Sequence, residues 1–180
     1  MTLQLVAPSA HYKRSFLEAQ EEKRQYADKV FTQAGKTPIS EEGFADFLQQ
    51  RRDDSQGINL QEGKVPASSW WLVKGDEWFG EIRIRHRDTP GLLRAGGHIG
   101  FGLRPSIRRK GVGSIILKLG LLKAKEMGFE KILLTCDDDN LGSARVIEKN
   151  GGILENIIER KDEELEGLPA GKTRRYWITL

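Results

Sequence analysis

The sequence predicts an α/β fold: one domain whose mixed, mostly antiparallel central sheet is flanked by helices. Three observations carry this reading. Residues 69–74 and 78–87 alternate apolar and polar side chains around the turn Lys74-Gly75-Asp76-Glu77, as a hairpin does. Residues 111–127 place Val112, Ile115, Ile116, Leu119, Leu121 and Leu122 on a wide apolar helical face. That helix stands between two β-rich runs, 97–103 and 131–136, which is the order of a parallel crossover.

The remaining elements follow from local signals. Residues 3–7 read as an opening strand. Pro8-Ser9 then starts a helix over 11–27, with Tyr12, Phe16, Ala19 and Tyr26 spaced among charges. Residues 35–38 read as a loop. Ser40-Glu41-Glu42 opens a second helix with acids in its first turn, and Phe44, Phe47 and Leu48 mark its buried face. The polar stretch 51–66 has no clear period and reads as a mobile loop. Thr89-Pro90-Gly91 breaks the chain, and Gly100 and Gly102 suggest a bulge or a close backbone approach within 97–103. Further on, 141–149 reads as a short helix stopped by Gly151-Gly152, 153–160 as a strand, 159–172 as a charged connection and 175–180 as the last strand.

Composition excludes several classes. With 38% hydrophobic and 31% charged residues, the chain is an ordinary globular protein and not a disordered one. No run approaches the roughly 18 apolar residues of a membrane helix, and the start Met1-Thr2-Leu3-Gln4-Leu5-Val6 lacks the features of a signal peptide. A single cysteine, Cys136, rules out an internal disulfide and suits a reducing compartment, so the expected location is the cytoplasm. A net charge of +3, from 29 basic and 26 acidic residues, is too weak to argue for nucleic acid.

The sharpest local signal is residues 104–114. A strand runs through Arg104, Arg108, Arg109 and Lys110 into Gly111-Val112-Gly113-Ser114 and the long helix. A helix N-terminus offers free backbone N–H groups and partial positive charge, and glycines let a phosphate approach them. Other phosphate loops fail on detail. A Walker A turn needs a lysine between Gly113 and Ser114, and a dinucleotide fingerprint needs glycine where Ile116 stands.

Arg108-x-x-Gly111-x-Gly113 resembles the (Gln/Arg)-x-x-Gly-x-(Gly/Ala) signature of the GNAT superfamily of N-acetyltransferases. The flanking strand and helix agree with it, as does Asn140-x-x-Ser143 opening a helix that ends Glu148-Lys149-Asn150-Gly151-Gly152. The likeness is good over 69–180 and extends to the N-terminal third by element order alone. It implies a splayed parallel strand pair forming a cleft for acetyl-CoA, the acyl donor, with no metal. The pantetheine would pair with Phe101, Gly102 and Leu103. The pyrophosphate would take Arg108, Arg109, Lys110, Gly111, Val112, Gly113 and Ser114, while Asn140 and Ser143 would lie by the pantetheine or thioester. The acceptor would be the amine of a small molecule or peptide, with no nucleic acid or membrane partner. Similar proteins commonly form homodimers.

Acyl transfer from a thioester to an amine needs a deprotonated amine, a stabilised oxyanion and a departing thiolate. Cys136, in an apolar strand with no neighbouring histidine, reads as a core residue, so direct attack by the amine is expected. Glu81 and His98 are the candidates for the base, with Asp137 a third. A backbone N–H near 101–103 would serve the oxyanion, as in similar proteins. Many members carry a tyrosine seven residues after the asparagine to protonate the thiolate; here that position is Ile147. Tyr176 and Ser143 are candidate substitutes. Two other readings compete with the enzyme: a non-catalytic acyl-CoA-binding or regulatory module, and a nucleic-acid-binding domain resting on the basic turn.

Overall fold

The computed structural model describes residues 2–26, 39–160 and 170–180. The expected loop 35–38, the helix end at Ala27 and positions 161–169 of the charged connection lie outside the described residues. In chain order the elements are β1 (Gln4–Val6), α1 (Lys13–Gln25), α2 (Phe44–Gln56), β2 (Ala67–Lys74), β3 (Glu77–Arg85) and β4 (Ile99–Leu103). After them come α3 (Val112–Glu126), β5 (Lys131–Asp137), α4 (Leu141–Lys149), β6 (Ile153–Arg160) and β7 (Gly171–Thr179).

The strands form two sheets, ordered β1-β2-β3-β4 and β5-β7-β6. All registered pairs are antiparallel. The crossover through α3 exists as a connection, but β4 and β5 build no parallel ladder among the described residues. The residue just before β4 meets β5 through a backbone bond, from His98 N–H to the Leu133 carbonyl at 2.7 Å. The bulges also lie elsewhere than expected. Register shifts fall at Leu72/Val73 and Leu154/Asn156, while β4 pairs with β3 evenly across Gly100 and Gly102.

Two cores flank the first sheet. On one face Leu72, Ile82, Ile84 and Ile99 pack with Val112, Ile116 and Leu117 of α3. On the other, Phe16 of α1 and Phe44 and Phe47 of α2 surround Trp71 and Trp78. Phe16 stacks on Trp71 at 5.0 Å and meets Trp78 edge-on at 5.5 Å; each such pair adds about 0.5–1.5 kcal/mol beyond burial. Trp71 and Trp78 are therefore core, and this cluster fixes α1 and α2 against the sheet.

Three further expectations need correction. The stretch 51–66 is not all loop, because α2 continues to Gln56 and ends on Gly57 with φ +74. Arg51 follows Phe44 and Phe47 at helical spacing, so the buried face simply turns from apolar to charged. The apolar face of α3 is rotated from the expected one: Val112, Ile116, Leu117, Gly120 and Ala124 are buried, whereas Ile115 and Leu122 are exposed. The last strand starts earlier, at Gly171, because it is the middle strand of its sheet and pairs on both sides.

Candidate functional site

Hydrogen bonding along β4 shows which of its backbone groups are free. Arg85 N–H donates to the His98 carbonyl at 2.9 Å, and Arg104 N–H to the Phe79 carbonyl at 2.9 Å. The intervening register is unbroken. In an antiparallel pair alternate residues turn their backbone groups to the partner, so Gly100 and Gly102 face β3. The N–H and C=O of Ile99, Phe101 and Leu103 lie on the outer edge, with no strand beside them among the described residues. The Arg108 guanidinium folds back and donates to the Leu103 carbonyl from both Nε (3.3 Å) and a terminal nitrogen (3.1 Å).

Beyond β4 a 3₁₀ turn, Pro105–Ile107, leads to Arg108 in extended conformation. Arg109 then has φ +60 and Gly111 φ +79, two left-handed residues within three. A non-glycine residue held at positive φ marks a backbone shaped for something other than local comfort. The backbone N–H groups of Arg109, Lys110, Gly111, Val112 and Gly113 have no protein acceptor among the described residues. Ser114 N–H donates to the Gly111 carbonyl at 3.1 Å. With the start of α3 behind them, these donors form a turn whose backbone could cradle an anion.

Arg104 is tied to α1. Its Nε donates to Glu22 of α1 at 2.6 Å, and the same carboxylate accepts from the Ser106 backbone N–H and hydroxyl. Burial works against charge on Glu22, but the bonds from Arg104 and Ser106 outweigh it and hold its carboxyl below the ordinary value. A carboxyl lowered in the folded state stabilises fully above its ordinary pKa of about 4.3, and the gain is lost as pH falls through the lowered value. Glu22→Gln is expected to cost about 1–2 kcal/mol at neutral pH. The difference from wild type should close in acid below about pH 4. Thermal melts of both proteins across pH check this; a gap that persists in acid would refute it.

Glu81 stands opposite Gly102 in the β3–β4 register, on the face that carries α2. Its carboxylate accepts from Arg51 Nε at 3.0 Å. Arg51 in turn reaches Asp54 at 3.5 Å, and Asp54 pairs with Arg83 at 2.8 Å. Of this chain of two acids and two bases, the sequence alone marks only Glu81. The one further signal it holds is the position of Arg51 on the buried helix face. An adjoining groove of about 270 Å³ is lined by Asp46, Gln49, Asp53, Asp54 and Ile58.

His98 is 3% exposed. Its Nδ1 accepts from the Leu133 backbone N–H at 2.8 Å, so the ring proton sits on Nε2, which donates to Asp88 at 2.5 Å. Both ring nitrogens are occupied. Asn140 caps α4, its Oδ1 accepting from Ser143 N–H at 3.0 Å. Ile147 is 1% exposed, in the core. The Tyr176 hydroxyl donates to Glu148 at 2.9 Å; burial, with Glu148 adding to it, holds the phenol above its ordinary value against Arg174. Burial pushes the Cys136 thiol up to about 11, with Asp137 adding and Arg174 opposing, which removes the thiolate a nucleophile needs. Asp137 itself is paired with Arg160 at 2.7 Å. Among the described residues no group of histidines, cysteines and acids could hold a metal, and no helix is long and apolar enough to cross a membrane.

The edge of β4 thus leads into backbone donors without protein acceptors, among the described residues, at a helix N-terminus. The family profile described as an acetyltransferase (GNAT) domain matches residues 2–153. The chain belongs to the GNAT acetyltransferase family. No curated protein matches the sequence. Among solved structures, this GNAT chain is similar to RimL, the ribosomal L7/L12 α-N-protein acetyltransferase, in complex with coenzyme A. The identity is 18%, with 100% of this chain and 95% of RimL covered and a TM-score of 0.71. It is also similar to the acetyltransferase from Salmonella typhimurium that modifies the N-terminal serine of L7/L12. There the identity is 18%, covering 100% of this chain and 96% of that one, with a TM-score of 0.70. The third is the microcin C7 self-immunity acetyltransferase MccE in complex with acetyl-CoA and AMP, at 16% identity, covering 99% and 92%, with a TM-score of 0.70. At these identities the likeness shows the shared fold. The GNAT domain here thus has its family's fold, with isoleucine where many members place the tyrosine.

Proposed function

We propose that this GNAT domain is an N-acetyltransferase that moves an acetyl group from acetyl-CoA to a primary amine by direct attack. The observation that carries the reading is the continuity of two sets of unpartnered backbone donors. The outer edge of β4 suits the amide-bearing pantetheine arm, and the cradle at 109–113 suits the pyrophosphate. Bound acetyl-CoA would supply the acetyl thioester. Phe101 N–H, on the free edge, is the donor we assign to the developing oxyanion.

The proton acceptor we assign is Glu81. It lies across from Gly102, at the roughly 5.5 Å Cα spacing of such a pair, where glycine leaves the floor open to an amine. Arg51 holds one carboxylate oxygen and so fixes the side chain's direction. Neither Ile147 nor the engaged Tyr176 offers a ready proton to the thiolate. The thiolate therefore leaves by its own low basicity and takes a proton from water.

RimL acts on the α-amine of a ribosomal protein, so peptide α-amines are the first acceptors to test here, followed by small primary amines. The experiment is thiol release from acetyl-CoA across an amine panel, with the acetylated product identified by mass. Turnover on at least one amine supports the reading. Tight CoA binding with no turnover on any acceptor would support the non-catalytic acyl-CoA-binding module, which the core isoleucine at 147 also favours. Absence of CoA binding would overturn both.

A further inference from the structure

We propose that His98 is the positioning residue that ends the contact between β4 and β5 and thereby keeps the acyl-CoA edge open; this rests on the reading that Ile99–Leu103 receives the donor. The backbone groups of Leu133 are the evidence. Leu133 lies mid-strand in β5 and is fully buried, so both its N–H and its C=O need partners. Both come from one residue. His98 N–H donates to the Leu133 carbonyl at 2.7 Å, and Leu133 N–H donates to His98 Nδ1 at 2.8 Å.

In a continuous ladder that second bond would go to a backbone carbonyl of the neighbouring strand. Here the imidazole takes the carbonyl's place. The His98 carbonyl goes to Arg85 of β3 and not on to β5, so His98 faces β5 with its ring and its N–H and β3 with its C=O. From the next residue onward β4 has one partner instead of two. Gly97, with φ +65, permits the approach: a Cβ there would lie 3.0 Å from the Leu133 carbonyl oxygen and 3.2 Å from Thr135 N.

The ring is fixed from three further sides. Asp88 accepts from Nε2–H and so selects the tautomer in which Nδ1 is the acceptor. Phe129 packs edge-on at 5.5 Å and Trp177 lies tilted at 6.2 Å. A buried group so engaged holds two strands at a set separation, and it does so without touching the reacting atoms.

The first measurement needs neither CoA nor substitution. In the ¹⁵N-labelled free protein, His98 should appear as the Nε2–H tautomer, with a scalar coupling across the hydrogen bond between Leu133 N and His98 Nδ1. The Nδ1–H tautomer, or no coupling, would overturn the proposal. The second is a variant pair. His98→Leu leaves the Leu133 N–H unpaired and should weaken CoA binding about tenfold or more. His98→Asn supplies an amide oxygen near the position of Nδ1 and should recover most of that affinity, with the acidic limb of the rate profile intact. Equal affinities for the two variants, or loss of the acidic limb in His98→Asn, would overturn the positioning role. Should His98→Leu fail to fold, Asp88→Ala at the exposed end of the pair takes its place; it should weaken CoA binding, and unchanged affinity would count against the proposal. A wild-type protein that shows the coupling and binds no CoA would refute the proposed function, a result separate from any failure of the His98–Leu133 bond.

Discussion

Glu81→Gln is expected to lower kcat by about two to three orders of magnitude while the KM for acetyl-CoA stays close to wild type. The split follows from where Glu81 stands. It lies on the α2 face of β3, and the donor is assigned to the outer edge of β4, so removing the charge should leave donor binding alone. An amine nucleophile must reach the thioester unprotonated, and a carboxylate across from Gly102 can take the proton as the new bond forms. Glutamine keeps the shape and can still accept from Arg51 Nε, so the fold should survive. The wild-type kcat/KM should fall on the acidic side as the base becomes protonated, and Glu81→Gln should flatten that limb. A full pH profile of both proteins on one acceptor is the measurement. An unchanged acidic limb would move the base elsewhere, or leave the amine to arrive deprotonated from solution.

Much of this site can be read from the sequence because it is built from backbone, and backbone geometry leaves marks in residue type. The glycines at 111 and 113, the basic run before them and the apolar helix after them signal the turn into α3. The helix and strand over 141–160 and the hairpin at 74–77 are legible for the same reason, since turn residues bound them. What escapes is long-range and side-chain based. Nothing around Glu22 hints that it will bind Arg104 and Ser106, more than eighty positions away in sequence. Residues 51–56 resemble loop because a helix whose inner face is charged breaks the apolar period on which such readings depend. His98 stands out in the sequence as a chemically notable residue, and its type suggests a base. The structure gives both of its nitrogens to Leu133 and Asp88, contacts no local pattern could reveal. Only the absence of the tyrosine is fully visible, because Ile147 is apolar whatever surrounds it.

Gly111 and Gly113 should fail in different ways when substituted. Gly111 has φ +79, and a Cβ there would meet nothing within 4 Å. The obstacle to a side chain is conformation and not space. A β-branched residue resists the left-handed region at a cost of about 1–3 kcal/mol, and it relieves that strain by rotating the peptide planes on either side. Those planes carry the N–H groups that form the cradle. Gly111→Val should therefore weaken CoA binding about a hundredfold or more, since bonds to a charged group contribute about 1.5–3 kcal/mol each. Gly111→Asn, which tolerates positive φ, should retain much more of it.

Gly113 has helical geometry, but its Cβ would lie 2.9 Å from Val146 Cγ2 on α4. Gly113→Ala should push α3 from α4 and shift the whole helix start, lowering melting temperature together with affinity. Val146→Ala should restore Gly113→Ala and do nothing for Gly111→Val. The phosphate itself provides the decisive control. Acetyl-pantetheine has no pyrophosphate, so as a donor it should be used by Gly111→Val and wild type with similar kcat/KM. If Gly111→Val loses as much with acetyl-pantetheine as with acetyl-CoA, the turn acts on the cleft as a whole and does not hold the pyrophosphate.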